Sequence, residues 1–438
     1  MKKLIKYPLI FLVLLLIFIF LLFISSLFPS SIIEKNIKES SKILTKEGNL
    51  YQFFDWSHIV NNNYTDVLMI NEAYSIDYKN PLYSCLSVRK NYNETITKNS
   101  LTDQNGDSVS LNNAEDYDPV GELAEFLDGN IDTSVTYARY WHGYLPILRT
   151  LLIFFNISEI RIILLIVFIF LFIWLLKLIK DKIGLLETGI FAISLILYSY
   201  FLVSYSLESA PVFLVMMISS IILLKRIDKI KNLYLFIFIT ACITNYVDYL
   251  TVPLITLAIP LILYITYKQK ESSDLQCKDF IKIIIKSSLI WILGYGFTWF
   301  SKWIIYDILY NENIIYTAIS QVIYRTENSV SYKTAKISEV IGSFVLNNII
   351  YCVIIGNFCL FLFLLNMGKY KIKLQNKKDY FNMSLPILLI ALMPIVWYIV
   401  LSNHTIIHTR FTYRHMLIFM ICILIAWKNM CVIEKKYK

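Results

Sequence analysis

Charge is scarce in this sequence: Asp, Glu, Lys and Arg make up 17% of 438 residues, against 57% hydrophobic residues and a mean hydropathy of +0.58. A soluble chain of this length cannot hide so much apolar surface in ordinary cores, so the composition excludes a soluble globular protein and makes a bilayer the solvent. Glycine is scarcer, at 12 residues, and there are 10 prolines. Transporters and flippases use inverted repeats and Gly- or Pro-broken helices at the bilayer midplane. Only Gly294/Gly296 and Pro253/Pro260 hint at such breaks and no repeat is present, which places that class behind the others. Usable cysteine pairs are missing too. Cys242, Cys352, Cys359, Cys422 and Cys431 lie in or beside apolar runs and Cys277 in a basic segment, leaving Cys85 alone, so no intrachain disulfide is expected. No CxxC-type spacing marks a metal site.

What is present is a series of apolar runs, near 8–28, 159–176, 186–204, 209–224, 232–247, 251–267, 281–300, 341–366, 384–402 and 415–432. These approach the roughly 20 residues that a helix needs to cross ~30 Å of hydrocarbon. The pattern predicts an all-α polytopic membrane protein with about ten transmembrane helices and a large extracytoplasmic loop domain after the first. Lys2, Lys3 and Lys6 precede the first run, and basic groups such as Lys177/Lys180/Lys182, Lys225/Arg226/Lys229 and Lys369/Lys371/Lys373/Lys377/Lys378 recur in every second loop. Because cytoplasmic loops collect Lys and Arg, both termini are expected in the cytoplasm of a multi-pass plasma-membrane protein. The formal net charge of +9 is then an anchor on anionic lipid, and no nucleic acid is expected as a partner.

The expected organisation is a first transmembrane helix in 1–28, an extracytoplasmic domain in 29–158 and helices 2–7 in 159–300. A second outer loop in 301–340 and helices 8–10 in 341–438, with an outer loop at 403–414, complete it. Within the first outer domain, 31–50 reads as a surface helix, 66–74 as a short buried element and 91–118 as loop. Residues 144–156, opened by Pro146 and rich in aromatics at their start, read as an amphipathic helix on the membrane surface.

Chemistry-bearing residues gather on the outer side of this topology. All five histidines, His58, His142, His404, His408 and His415, fall in outer loops or at their edges, either as tolerated interfacial residues or as parts of one polar site. A divalent metal on His404 and His408, four residues apart, is left open, and no metal ligand is assigned. Asp55, Asp66, Glu72, Asp77, Glu208 and Asp248 are the outer carboxylates. Glu208 and Asp248 sit in very short turns, where an ionisable group needs a polar cavity or a partner. Arg139, Arg149, Arg325, Arg410 and Arg414 supply planar donors suited to phosphate. Outer aromatics, among them Trp56, Tyr64, Tyr74, Trp141, Trp299 and Trp303, suit sugar stacking and equally the interfacial belt of any membrane protein.

One span, a large outer loop, then a surface helix leading into the second span resembles the layout of the GT-C membrane glycosyltransferases, such as protein O-mannosyltransferases and the aminoarabinose transferase of lipid A. Tyr140-Trp141-His142-Gly143-Tyr144-Leu145-Pro146-Ile147-Leu148, followed by 151–156, is similar to that family's aromatic surface helix. Residues 190–225, with Tyr198-Ser199-Tyr200 and Glu208, resemble its paired third and fourth spans with an acidic outer turn. The likeness covers roughly residues 1–270; the usual acidic doublet and the His-Pro-Pro motif are absent.

The resemblance implies transfer of a sugar from a polyprenyl-phosphate donor to a cell-surface glycan, lipid or protein. It implies Asp66 as base, with Asp55 and Glu72 as the other carboxylate candidates. Arg139, His142, Arg149, Glu208, Asp248, His404, His408, Arg410 and Arg414 would bind donor phosphate or substrate. No cofactor is firmly implied. A surface-polysaccharide polymerase or ligase is the alternative enzyme class, although such proteins place their large outer loop late. A composition rich in Ile, Lys and Asn points to an AT-rich bacterial genome.

Overall fold

The computed structural model describes residues 6–53, 60–92, 118–131, 133–230, 232–271, 275–327, 336–365 and 370–435. These residues are overwhelmingly helical. Six helices or helix pairs are long and apolar enough to cross a membrane: Lys6–Ser26, Ile157–Lys182, Cys277–Tyr310, Ile337–Gly356, Lys377–Val400 and Thr409–Lys428. Their outward faces carry apolar stripes, such as Leu9/Leu12/Leu16/Phe20 and Ile162/Ile166/Phe170/Ile173, exposed at helical spacing. Water would penalise such stripes; lipid accepts them.

Helix α1 (Lys6–Ser26) is the opening apolar run. Its inward face, Leu15, Phe18 and Leu22, is buried, with Phe18 stacked on Tyr246 at 4.1 Å between ring centroids. The hydrophilic stretch behind it folds as α2 (Glu34–Glu47), α3 (Asn63–Tyr74), α4 (Pro81–Ser87) and α5 (Pro119–Leu127), braced by two short antiparallel ladders. Strand β1 (Leu50–Gln52) pairs with β2 (Val60–Asn62), and β3 (Arg89–Asn91) with β4 (Ser134–Thr136). Gly48, at φ +71°, ends α2 where a side chain would strain the turn. The stretch 144–156 contains a helix, α6 (Leu145–Phe154), opened by Pro146. A capping box of Asn156 and Glu159 then starts α7 (Ile157–Lys182).

The next four apolar runs form helices of 13 to 17 residues: α8 (Leu185–Leu197), well short of its run, α9 (Ala210–Arg226), α10 (Leu233–Val247) and α11 (Ile255–Glu271). The 186–204 run breaks because Ser199 takes a left-handed conformation, and a 3-10 turn, Tyr200–Tyr205, follows. Helix α11 is buried along most of its length, a central post inside the bundle. Beyond it lie α12 (Cys277–Tyr310), α13 (Ile314–Thr326) and α14 (Ile337–Leu365). Then come α15 (Lys377–Ala391), α16 (Met393–Val400), α17 (Ser402–Ile407), α18 (Thr409–Thr412) and α19 (Met416–Lys428). The last ladder joins β5 (Tyr370–Leu374) to β6 (Cys431–Lys435).

Two apolar cores divide the molecule. One fills the helix bundle from α7 onward; the other joins α1 to α2–α6 and the ends of α10 and α12 that meet them. The polar groups described next lie along the seam.

Candidate functional site

Helix α3 starts where Asn62 turns its side chain to the backbone N–H of Tyr64 at 3.2 Å. That start places Asp66 in the first turn, where the helix dipole favours a carboxylate. Packing of α3 on α2, α5 and α6 buries Asp66 completely. Its Oδ1 accepts the backbone N–H of Glu208 at 3.3 Å, which joins α3 to the turn before α9. Its Oδ2 accepts no hydrogen bond among the described residues and stands 3.8 Å from Arg161 Nη2.

Arg161, on the first turns of α7, divides its guanidinium between Glu47 at 2.6 Å, the Asn63 side chain at 3.2 Å and Asp66. Burial pushes the Asp66 carboxyl up to about 7, with Arg161 and the Glu208 N–H opposing it. Glu208, 2% exposed, is pushed up to about 8 by burial. The negative charges of Asp66 and Asp248 add to that rise, while Thr65 and Arg414 oppose it.

Asp248 completes the acidic group from the turn after α10. Its Oδ1 takes the N–H and hydroxyl of Thr251, both at 2.8 Å, and its Oδ2 takes the Tyr295 hydroxyl at 2.8 Å. Burial raises it to about 6 against those hydrogen bonds. Leu250, within this turn, has φ +62°, a conformation Leu rarely adopts.

The Tyr140–Tyr144 segment is fastened to α12. Trp299 and Trp303 both donate their indole N–H to the Arg139 carbonyl, at 2.7 and 2.9 Å, and Trp141 donates to the Thr298 carbonyl at 2.6 Å. His142, at φ +57°, places Nδ1 3.2 Å from Glu72 Oε2, an oxygen that also accepts the hydroxyls of Tyr144 and Tyr249. Its Nε2 faces the Tyr137 carbonyl at 2.7 Å. Gly143 permits the fold, because a Cβ there would collide with the ring and carbonyl of Tyr246.

On the far side, His404 lies between the Leu250 carbonyl, 2.8 Å from Nε2, and Arg325 Nη1 at Nδ1. Burial and the Arg325 charge drive its basicity well below the ordinary histidine value, so it is neutral. His408 stacks on Phe411, and its ring centroid is 4.7 Å from that of His404. Arg414 reaches the Ser209 hydroxyl at 3.3 Å, beside Glu208. Arg410 is exposed and acts electrostatically on Tyr64, while Arg325, Arg139 and Asp248 act on Tyr140.

The structure therefore brings Asp66, Glu208, Asp248, Arg414, Arg139, His404 and His408 around one seam. It gathers Glu72 and His142 in an adjoining tyrosine network. Arg149 is placed differently from the expectation of a phosphate contact. Its guanidinium is buried and donates to the carbonyls of Ser25, Phe28 and Ala73 and to the Ser30 hydroxyl, lashing the end of α1 to α3 and α6. His415 packs between Trp397 and Tyr398 in the bundle. Asp77 closes its own turn through the Lys79 N–H. Asp55, with Trp56 and His58, lies outside the described residues, as does most of the loop expected at 91–118.

Arg161 was not among the site residues expected from sequence. Its signal was available: an ionisable residue inside the first turns of a long apolar helix needs a partner within the protein. Among the described residues, no three His, Cys, Asp or Glu side chains converge as a metal-ligand set. A cleft of about 450 Å³ lies at the opposite end of α3, lined by Ser30, Tyr74, Asp77, Arg89, Asn91 and Phe126 among others. It takes in none of the buried carboxylates of the seam. Comparison with protein-family models, curated proteins and solved structures finds no match to this chain.

Proposed function

We propose that this protein is an integral membrane glycosyltransferase of the plasma membrane that moves a sugar from a polyprenyl-phosphate donor to an extracytoplasmic glycan, lipid or protein. The chain makes ten crossings of the bilayer, with both termini in the cytoplasm. Helices α8 to α11, at 13 to 17 residues, cover about 20–26 Å each and are counted among them. The turn at Glu208 meets Asp66, and Asp248 acts electrostatically on Glu208, which supports one common face for these groups; the basic loops elsewhere favour the outside for it.

The observation that carries the reading is the Asp66 carboxylate: wholly buried, raised to about 7, with an unoccupied Oδ2 in a seam bordered by arginines. A base works best when its pKa lies near the operating pH. Asp66 Oδ2 accepts the proton of the acceptor hydroxyl as that oxygen bonds to the anomeric carbon. The bond from the same carbon to the phosphate oxygen breaks, and the phosphate leaves with the electron pair. Guanidinium groups at Arg139, Arg410 and Arg414 stabilise the charge that develops. Arg161 holds the carboxylate in place, and Glu208 keeps its proton at neutral pH.

The test is to incubate purified protein with a panel of polyprenyl-phosphate sugars and measure released polyprenyl phosphate, for the parent and for Asp66→Asn. Release by the parent and its loss in the variant support the reading. Turnover unchanged by the substitution removes Asp66 from the base role, and no release from any donor overturns the transferase.

A further inference from the structure

The arginines around the seam are committed to different degrees. Arg161 is neutralised by Glu47 and Asp66, and Arg149 is absorbed by carbonyls. Arg325 is half-buried, and among the described residues it forms no ion pair with a carboxylate. One Nη donates to the neutral ring of His404, which gives the guanidinium a direction and adds no charge of its own.

That ring is held with care. The Leu250 carbonyl, projected by a left-handed residue, accepts from His404 Nε2 and so fixes the proton there. Nδ1 is left as an acceptor, aimed at the guanidinium. His408 packs against the same ring. The remaining N–H groups of Arg325 are thereby oriented, and its charge reaches Tyr140 at the seam.

Arg325 rides on α13, whose inner residues Ile314 and Ala318 are buried against the protein. Its outer face exposes Tyr316, Ile319, Val322 and Ile323. On a molecule whose long helices bear lipid-facing stripes, such a helix lies at the headgroup boundary. A cation with no carboxylate partner among the described residues, presented at that depth in a guanidinium fork, matches a phosphate.

We propose that Arg325 is the seat for the phosphate of a lipid-linked amphiphile, that His404 is its positioning residue, and that the amphiphile's tail lies along the exposed face of α13. The identity of the amphiphile as the glycosyl carrier rests on the transferase reading; the phosphate seat does not. His404 then acts through Arg325 and does not itself touch substrate.

The experiment uses the full chain in phosphatidylcholine nanodiscs and measures binding of a polyprenyl monophosphate, with phosphatidylglycerol as a competing arm. Arg325→Ala weakens binding by about ten- to hundredfold, the usual contribution of hydrogen bonds to a charged group. Arg325→Lys falls between, because it keeps the charge and loses the fork. His404→Phe keeps the ring volume and removes the acceptor; it raises KM for the donor with kcat unchanged, a split that general misfolding does not produce. Should Arg325→Ala lower the folded yield, the Lys variant carries the test. Equal affinity of the parent and both Arg325 variants overturns the seat. Equal competition by phosphatidylglycerol overturns the carrier assignment. Binding without sugar release from any donor sinks the transferase reading and leaves the seat standing.

Discussion

Replacing Asp66 by Asn removes a titrating proton from a fully buried position, and its effect on stability can be worked out from the structure. An aspartate raised from 3.8 to about 7 binds more protons in the folded than in the unfolded state between those two values. Stability of the parent therefore falls as pH rises through that window, and the loss is complete above about 7. At ~1.4 kcal/mol per tenfold change in proton affinity, the cost of the ionised form approaches about 4 kcal/mol as an upper bound. Asn has nearly the same shape, still accepts the Glu208 N–H, and carries no charge to desolvate.

Asp66→Asn should thus match the parent near pH 4 and melt several degrees higher at pH 8, while turnover is lost. Thermal unfolding in detergent, read at matched scan rates from pH 4 to 8 because such transitions are often irreversible, checks it. Parallel pH dependence of the two proteins would refute the claim that Asp66 is held as a strained, poised base.

Turnover itself should rise about tenfold per pH unit below about pH 6 and level off above about 7, as Asp66 loses its proton, and a kcat/KM profile against pH shows whether it does. Arg149→Met leaves the carbonyls of Ser25, Phe28 and Ala73 without their donor, so it should cost about 3 kcal/mol or more and lower the melting temperature with donor KM unchanged. A raised KM with an unchanged melting point would return Arg149 to a phosphate-binding role. Gly143→Ala forces Tyr246 aside and unseats His142 from Glu72, which should sharply reduce folded yield, measured by size-exclusion chromatography of the detergent extract.

Much of the helical layout was legible because bilayer-length apolar runs admit few alternatives. Helix α1 and α7 fall where the runs at 8–28 and 159–176 put them, and α2, α3 and α6 fall close to the elements read in the first outer domain. The bends were not legible. Ser199 turns left-handed with no glycine to announce it, so the 186–204 run looked continuous, and Leu250 does the same in the turn after α10.

Asp66, Glu208 and Asp248 could be singled out because carboxylates beside apolar elements need a reason to be there. What holds them could not. An arginine near a helix start reads alike whether it faces lipid phosphate, as expected of Arg149, or a ring of carbonyls, as found. Arg161 was passed over in the sequence, and the fold shows it between Glu47 and Asp66. His404 was expected to touch phosphate, yet both its nitrogens are already engaged by Leu250 and Arg325.

The side of the membrane that the seam faces decides whether its carboxylates can meet an extracytoplasmic acceptor. Single cysteines at exposed Lys79 in the loop domain, exposed Glu327 after α13 and exposed Lys282 on α12 can be tested with a membrane-impermeant maleimide on intact cells. Positions 79 and 327 should label without permeabilisation and position 282 only after it. Labelling of 282 from outside, with 79 and 327 protected, would place the carboxylates in the cytoplasm and contradict the account.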